Sequence, residues 1–402
     1  MEGLLLGLSL SYFAAYQLFK LPVVLPVLLS QYGYDRALAG GFMSVYALSG
    51  LALSMWFGRL ISRHGALRLA APAVACIGLA ACLTLLAPEL GLVVLLSRGL
   101  EGIAFAVLGI VGPVLATGSA TQRQLPLVLG LSAAWIPVGQ LTAAFLAPVS
   151  LTSYGWQGLW YIAIAGSVLL FLWCQRFSRL QSPKEAASIK KPSRFTHPQT
   201  LALVFTSAVF MLWSGQYFAF MTWLTQYLVE VRTLEMNNAL LGYVVPVIFV
   251  AIFNVLTGLM LRAGWPVGWV MVGALVTQAA IWWLIPYTDS ASLGLGSLII
   301  YGIGAGIVPA CLFALPGTIL GPGCGIADAF GFIMTGRNLG VLIGPVLLAY
   351  AFKLTGDWHL TAPLFAILTT VGLGIGIVLA LMLHNAKKAP KTPPPTPPVN
   401  DA

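Results

Sequence analysis

Apolar residues fill most of this chain in long runs, separated by short polar turns and by a single long polar stretch. The runs are too long for barrel strands and carry polar residues at helical spacing, which predicts membrane-crossing helices of about 20 residues each. They lie at 4–29, 37–57, 69–86, 90–112, 125–146, 158–174, 201–229, one ending in the turn at 258–264, 267–287, 293–315, 325–350 and 360–383. The polar stretch is RFSRLQSPKEAASIKKPSRFTH at 176–197, where Arg176, Arg179, Lys184, Lys190, Lys191 and Arg194 face one acid, Glu185. It has too little apolar content to fold on itself and reads as a solvated linker. The pattern therefore predicts an all-α integral membrane protein in four parts: an N-terminal six-helix bundle at 1–175, a basic cytoplasmic linker at 176–199, a C-terminal six-helix bundle at 200–384, and a disordered, Pro-rich cytoplasmic tail at 385–402.

Composition changes the picture only by naming the solvent. Hydrophobic residues make up 59% and charged residues 8% of the chain, against about 25% charged in soluble domains, so most of the surface faces lipid. The net charge of +9 would suit nucleic acid if it were gathered on one surface, but it is sorted by turn. Arg59, Arg63, Arg68, Arg123, the linker cluster, Arg262, Lys387, Lys388 and Lys391 fall on one side of the spans, and only Arg36, Arg232 and Lys353 on the other. That asymmetry reports topology. It places both termini and the linker in the cytoplasm of a multi-pass plasma membrane protein, in a bacterium the inner membrane, and implies no nucleic-acid partner. The N-terminal run lacks a basic region and a cleavage site, so it is expected to be a retained helix. Cys76, Cys82, Cys174, Cys311 and Cys324 show no metal-ligand spacing and read as small packing residues.

Chemistry is confined to a few polar side chains inside the spans. In the first, Tyr16, Gln17 and Lys20 share one side. Lys20 lies nine residues from Leu29, ~13 Å below that end, and either snorkels outward or stands in a wet cavity. In the fourth, Arg98 and Glu101 are three residues apart and form either a structural ion pair or a coupling pair. The fifth carries Trp135, Pro137 and Gln140, with Pro137 expected to loosen the backbone ladder. The seventh carries Trp213, Gln216 and Tyr217 as a polar-aromatic stripe, which is either packing or lining. In the eleventh, Arg337 and Asn338 sit near the middle, too deep for the guanidinium to snorkel from either end.

The turn after the second span resembles the signature of the major facilitator superfamily, G-x-x-x-D-R-x-G-R-[RK], with Gly58, Arg63, Gly65 and Arg68 in register and Ser62 where the family usually has Asp. Residues Gly258 to Gly264 echo that turn, one residue shorter, in the second half. The Arg98 to Gly102 segment is similar to the family's fourth-helix pattern. The resemblance implies substrate binding near the midplane between the halves, with spans 1, 4, 7 and 10 lining the cavity and spans 5 and 11 contributing. It also implies alternating access and a gate at the Gly58 to Arg68 turn, which with Ser62 in place of Asp must rely on something else or hold more weakly.

Lys20, Arg98 and Arg337 outnumber the single mid-membrane acid, Glu101. A cationic surplus in a poorly hydrated cavity favours a small organic anion held by charge-assisted hydrogen bonds. The chain is therefore expected to be a secondary transporter, acting as a monomer in the lipid bilayer, without cofactor or metal. Lys20 and Arg337 would contact the anion, and Tyr16, Gln17, Trp135, Gln140, Gln216, Tyr217 and Asn338 would line its site. Efflux of amphiphilic drugs or siderophore-like compounds, and a non-transporting receptor or scaffold, are the two other readings. An enzyme is not expected, because no nucleophile, His-rich or phosphate-cradling motif is present.

Overall fold

The computed structural model describes residues 2–34, 36–180, 195–230, 233, 236–285, 291–321 and 326–388. The core of the basic linker (181–194), Arg232, Glu235, Asp289, Cys324 and the Pro-rich tail from 389 onward lie outside the described residues. Within the described residues the secondary structure is helical, with no strand. The helices are α1 Glu2–Tyr32, α2 Arg36–His64, α3 Ala66–Leu86, α4 Gly91–Gly118, α5 Leu125–Ala133, α6 Trp135–Ser153, α7 Gln157–Leu180, α8 His197–Glu230, α9 Met236–Arg262, α10 Val267–Leu284, α11 Ala291–Leu320, α12 Ile326–Thr355 and α13 Trp358–Lys388. Twelve of them are long and apolar enough to cross a membrane.

Most elements follow the apolar runs, with helix continuing into the flanking turns. Arg176 and Arg179, at the start of the polar stretch, are still on α7. The fifth span is divided into α5 and α6 at Ala134. Pro137 lacks an N–H, so the carbonyl of Ala133 loses its i+4 donor where the helix is interrupted.

Helices α1, α4, α8 and α11 occupy the interior, with most of their apolar stretch enclosed by protein, whereas half or less is enclosed in the other spans. Around them α1 packs on α4 and α6, α2 on α4, and α3 on α4 and α7. In the second half α8 packs on α12 and α13, α9 on α11, and α10 on α11 and α13. The two sets meet mainly through α2 with α12 and α5 with α9.

Small residues make these approaches possible, because helices in lipid associate by close backbone packing rather than by burial from water. Gly336, Gly340 and Gly344 form an i, i+4, i+8 stripe on α12. A Cβ at these positions would collide with the carbonyl oxygens of Ser207, Met211 and Gly215 respectively, all on α8. The stripe fixes the rotation of α12 and so the direction of Arg337 within it.

Glycines also make the contacts between the sets. A Cβ on Gly58 would lie 2.9 Å from Gly331 Cα, and one on Gly258 would lie 3.2 Å from Gly130 Cα. Gly58 and Gly258 are corresponding members of the sequence echo. The turn glycines that close each echo, Gly65 and Gly264, have φ of 88° and 91°, a region that L side chains rarely adopt. The repeated residues thus perform the same two tasks, close crossing and turn reversal, once in each half.

Overpacking predicts a direct test. Gly344→Ala should destabilise the protein by about 1–3 kcal/mol, seen as a lower unfolding temperature in detergent. Gly374→Ala, with no atom within 4 Å of its added Cβ, should be neutral. Equal effects would contradict the role of the stripe.

Candidate functional site

A buried ionic cluster lies among the first helices. Lys20 on α1 donates to Glu101 Oε1 on α4 at 2.6 Å and to Gln17 Oε1 at 2.6 Å. Its ammonium lies 5.0 Å from the Trp160 ring centre on α7. Arg98 donates to the other carboxylate oxygen, Glu101 Oε2. All three side chains are almost completely buried.

The rest of the Arg98 guanidinium is satisfied by backbone. It reaches the carbonyls of Gln17 at 2.9 Å, Leu18 at 3.4 Å and Phe42 at 3.4 Å, and stacks over Tyr46 at 4.4 Å. Pro22 explains part of this arrangement, because its missing N–H leaves the Leu18 carbonyl without an i+4 donor in a region where each backbone group needs one. One carboxylate thus bridges two cations across α1 and α4. Tyr16 faces the same interior, donating to the Leu159 carbonyl on α7 at 2.7 Å.

A second constellation surrounds Arg337 on α12. It borders a cavity of about 20 Å³ between the fifth span and α8, α9, α11 and α12, lined by Trp135, Phe210, Trp213, Tyr217, Phe218, Asn254 and Phe313 among others. Among the described residues Arg337 is the one charged side chain in that lining. Its guanidinium carbon lies 5.2 Å, 5.4 Å and 5.3 Å from the rings of Phe105, Trp135 and Phe218. Nη1 donates to Asn338 Oδ1 at 2.9 Å, whereas Nη2 has no hydrogen-bond partner among the described residues. Asn338 in turn donates to Ser54 Oγ on α2 at 3.0 Å. A chain of two hydrogen bonds therefore runs from the cavity to the contact between the two helix sets.

Three more buried polar atoms in the cavity lining have no partner among the described residues: Trp213 Nε1, Tyr217 Oη and Asn254 Oδ1. Trp213 and Tyr217 stack with ring centres 5.1 Å apart and planes within 9°. Trp135 stacks on Phe105 at 4.9 Å.

The candidates named from sequence fall into distinct places. Arg337, Trp135 and Tyr217 share the cavity, and Asn338 sits behind Arg337. Lys20, Gln17, Tyr16, Arg98 and Glu101 belong to the cluster among α1, α4 and α7. Gln216 accepts from Trp282 Nε1 at 2.7 Å and Tyr301 Oη at 2.8 Å, forming a polar knot among α8, α10 and α11. Gln140 is buried on α6, outside the described cavity lining. Asn254 and the Phe210, Phe218 and Phe313 walls were not anticipated. Asn254 could have been, since it is the one amide in the apolar run of α9 from Leu240 to Leu261.

At the end of the spans that carries the termini, Ser62 Oγ donates to Asp328 Oδ2 at 2.9 Å, joining α2 to α12. Arg59 and Arg63, both exposed, act electrostatically on the same carboxylate. Asp328 lies in the first turn of α12, where the helix dipole favours an anion. The compensation for Ser62 is therefore an acid on the facing helix. Gly58 permits the crossing, Gly65 the turn, and Arg68 is exposed beyond it.

Both the cluster and the latch can be tested by substitution. Glu101→Gln leaves two buried cations without their carboxylate and should lower stability by about 3–5 kcal/mol. Adding Lys20→Met should recover part of that loss in thermal unfolding, and strict additivity would contradict the shared pairing. In a chain whose native cysteines are replaced, Ser54→Cys should react slowly with a water-soluble maleimide and several-fold faster when Asp328→Ala is added. An unchanged rate would contradict a latch at Ser62 and Asp328.

A family model described as Major Facilitator Superfamily matches residues 4–323. No curated protein matches the chain in sequence. Among solved structures, the transporter FucP in its outward conformation superposes with a TM-score of 0.73 at 14% identity, covering 94% of this chain and 98% of its own. The human organic anion transporter MFSD10 (TETRAN) gives 0.72 at 14% identity over 95% and 98%. A single-residue variant of the E. coli fucose:proton symporter FucP gives 0.72 at 14% identity over 94% and 98%. At that identity the likeness is one of fold. Together with the family match, it assigns this multi-pass chain of membrane-spanning helices to the Major Facilitator Superfamily.

Proposed function

We propose that this protein is a proton-coupled secondary transporter for a small organic anion, working by alternating access as a monomer in a bacterial inner membrane with both termini cytoplasmic. The observation that carries the reading is Arg337. It is a buried guanidinium with a free Nη2 at an inter-helix cavity, and no acid ion-pairs with it among the described residues. An unneutralised cation in such a site is costly in lipid, and an anion that accepts from Nη2 offsets the cost while bound.

The rest of the mechanism builds on the two constellations. The halves at 1–175 and 200–384 rock about the α2–α12 and α5–α9 crossings, with the basic linker joining them. A cavity of about 20 Å³ holds only one or two waters, so loading an organic solute requires this arrangement to open. Opening is linked to the cavity through Arg337, Asn338 and Ser54. An anion that accepts from Nη2 and draws the guanidinium toward it loosens the Nη1 bond to Asn338, which in turn holds Ser54 on α2. Lys20, Arg98 and Glu101 form the coupling group in this scheme: their shared pairing holds α1 against α4, and its rupture frees α1 to shift. Two fold neighbours, one described as an organic anion transporter and the other as a fucose:proton symporter, are compatible with each part of the reading.

The aromatic lining favours a second reading, efflux of amphiphilic compounds, and a receptor that binds without flux is the third. Uptake of labelled organic anions into proteoliposomes under an imposed pH gradient separates them. Saturable uptake driven by the gradient is expected, falling at least tenfold with Arg337→Met. With Glu101→Gln, exchange should persist while the response to the gradient is lost. Binding without uptake supports the receptor, and broad transport of cationic or neutral amphiphiles supports efflux.

A further inference from the structure

We infer that the anion is a planar aromatic monoanion that also bears a hydroxyl or amino donor. This rests on the transporter reading above and names the substrate class of the same cavity.

Charge comes first. Among the described residues Arg337 is the sole ionic side chain in the lining, so one negative group can be matched and a second would be buried without a partner. The Lys20 ammonium does not supply that partner, because it is turned toward Glu101 and Gln17.

The body of the ligand follows from the walls. Trp213 and Tyr217 present a nearly parallel stacked pair. Trp135, backed by Phe105, presents another ring with the guanidinium 5.4 Å from its centre. The rings of Phe105, Trp135 and Phe218 lie 5.2–5.4 Å from the guanidinium carbon, and flat faces beside a single cation favour a flat ligand whose anionic group is coplanar with a ring. The orientation preferences of aromatic pairs then add on the order of a tenfold in affinity over a saturated ring of equal size.

The third element is polar. Asn254 Nδ2 donates to the Val250 carbonyl at 2.8 Å, which fixes the orientation of the amide and leaves Oδ1 as a genuine acceptor. That oxygen is fully buried in the lining and has no partner among the described residues. A ligand that fills the cavity without offering a donor strands it, and sites with such a group discriminate against analogues lacking the matching hydrogen bond.

The test is a set of binding isotherms on the detergent-purified full chain, read by quenching of tryptophan fluorescence. The probes are benzoate, 3- and 4-hydroxybenzoate, cyclohexanecarboxylate, terephthalate, benzamide and benzyltrimethylammonium. The better hydroxybenzoate should bind about tenfold more tightly than benzoate, and benzoate about tenfold more tightly than cyclohexanecarboxylate, with terephthalate weaker than benzoate. Asn254→Leu should bring the hydroxybenzoate to benzoate ratio close to one. The ratio in the unaltered protein tests the same point should that variant fail to fold. Equal or tighter binding of cyclohexanecarboxylate or terephthalate overturns the inference while leaving an anion carrier. Failure of every benzoate probe at millimolar concentration also overturns it. Binding confined to benzamide or benzyltrimethylammonium overturns the anion reading itself.

Discussion

The free energy of holding charge away from water governs where this protein can place its ionic groups. Among the described residues four of them, Lys20, Arg98, Glu101 and Arg337, are buried inside the spans. Three solve the problem together: one carboxylate takes a cation on each oxygen, and the remaining donors of Arg98 are absorbed by carbonyls of α1 and α2, including the Leu18 carbonyl that Pro22 leaves open. Arg337 solves it differently, with three aromatic faces, one side-chain amide and one guanidinium nitrogen in reserve. That difference separates a cluster holding α1 against α4 from a site with capacity for a ligand.

Backbone proximity sets the mechanical frame around these charges. The glycine stripe of α12 against α8 and the two crossings at Gly58 with Gly331 and Gly130 with Gly258 all depend on the absence of a Cβ. The stripe binds α12 firmly within its own half, while the crossings join the halves at the end that carries the termini. Asn338 lies where the two roles meet, one residue from Arg337 and hydrogen-bonded to Ser54 on the opposing half. Two hydrogen bonds therefore link the guanidinium to the opposing half.

The span pattern, the Arg98–Glu101 pair and the position of Arg337 within its helix were legible in the sequence because each depends on hydropathy or on spacing within one helix. Contacts between helices were not. Lys20 and Glu101 are 81 residues apart, and nothing in either run says that they meet, so the lysine read as a free cation. Tyr16 and Gln216 look like lining residues by period alone, yet one bonds to α7 and the other to Trp282 and Tyr301. The loss of Asp at Ser62 read as a weaker gate because its replacement, Asp328, is supplied 266 residues later by the facing helix. Helical periodicity tells which side of a helix is polar; it does not tell which neighbour that side will meet.

The most direct test of the account is an experimentally determined structure of the reconstituted protein with a transported anion bound. The account predicts the anion's charged group within hydrogen-bonding distance of Arg337 Nη2, in a cavity bordered by Trp135 and Trp213, with the Lys20–Glu101 pair separate from it. An anion seated on Lys20, with Glu101 displaced and Arg337 untouched, would contradict it.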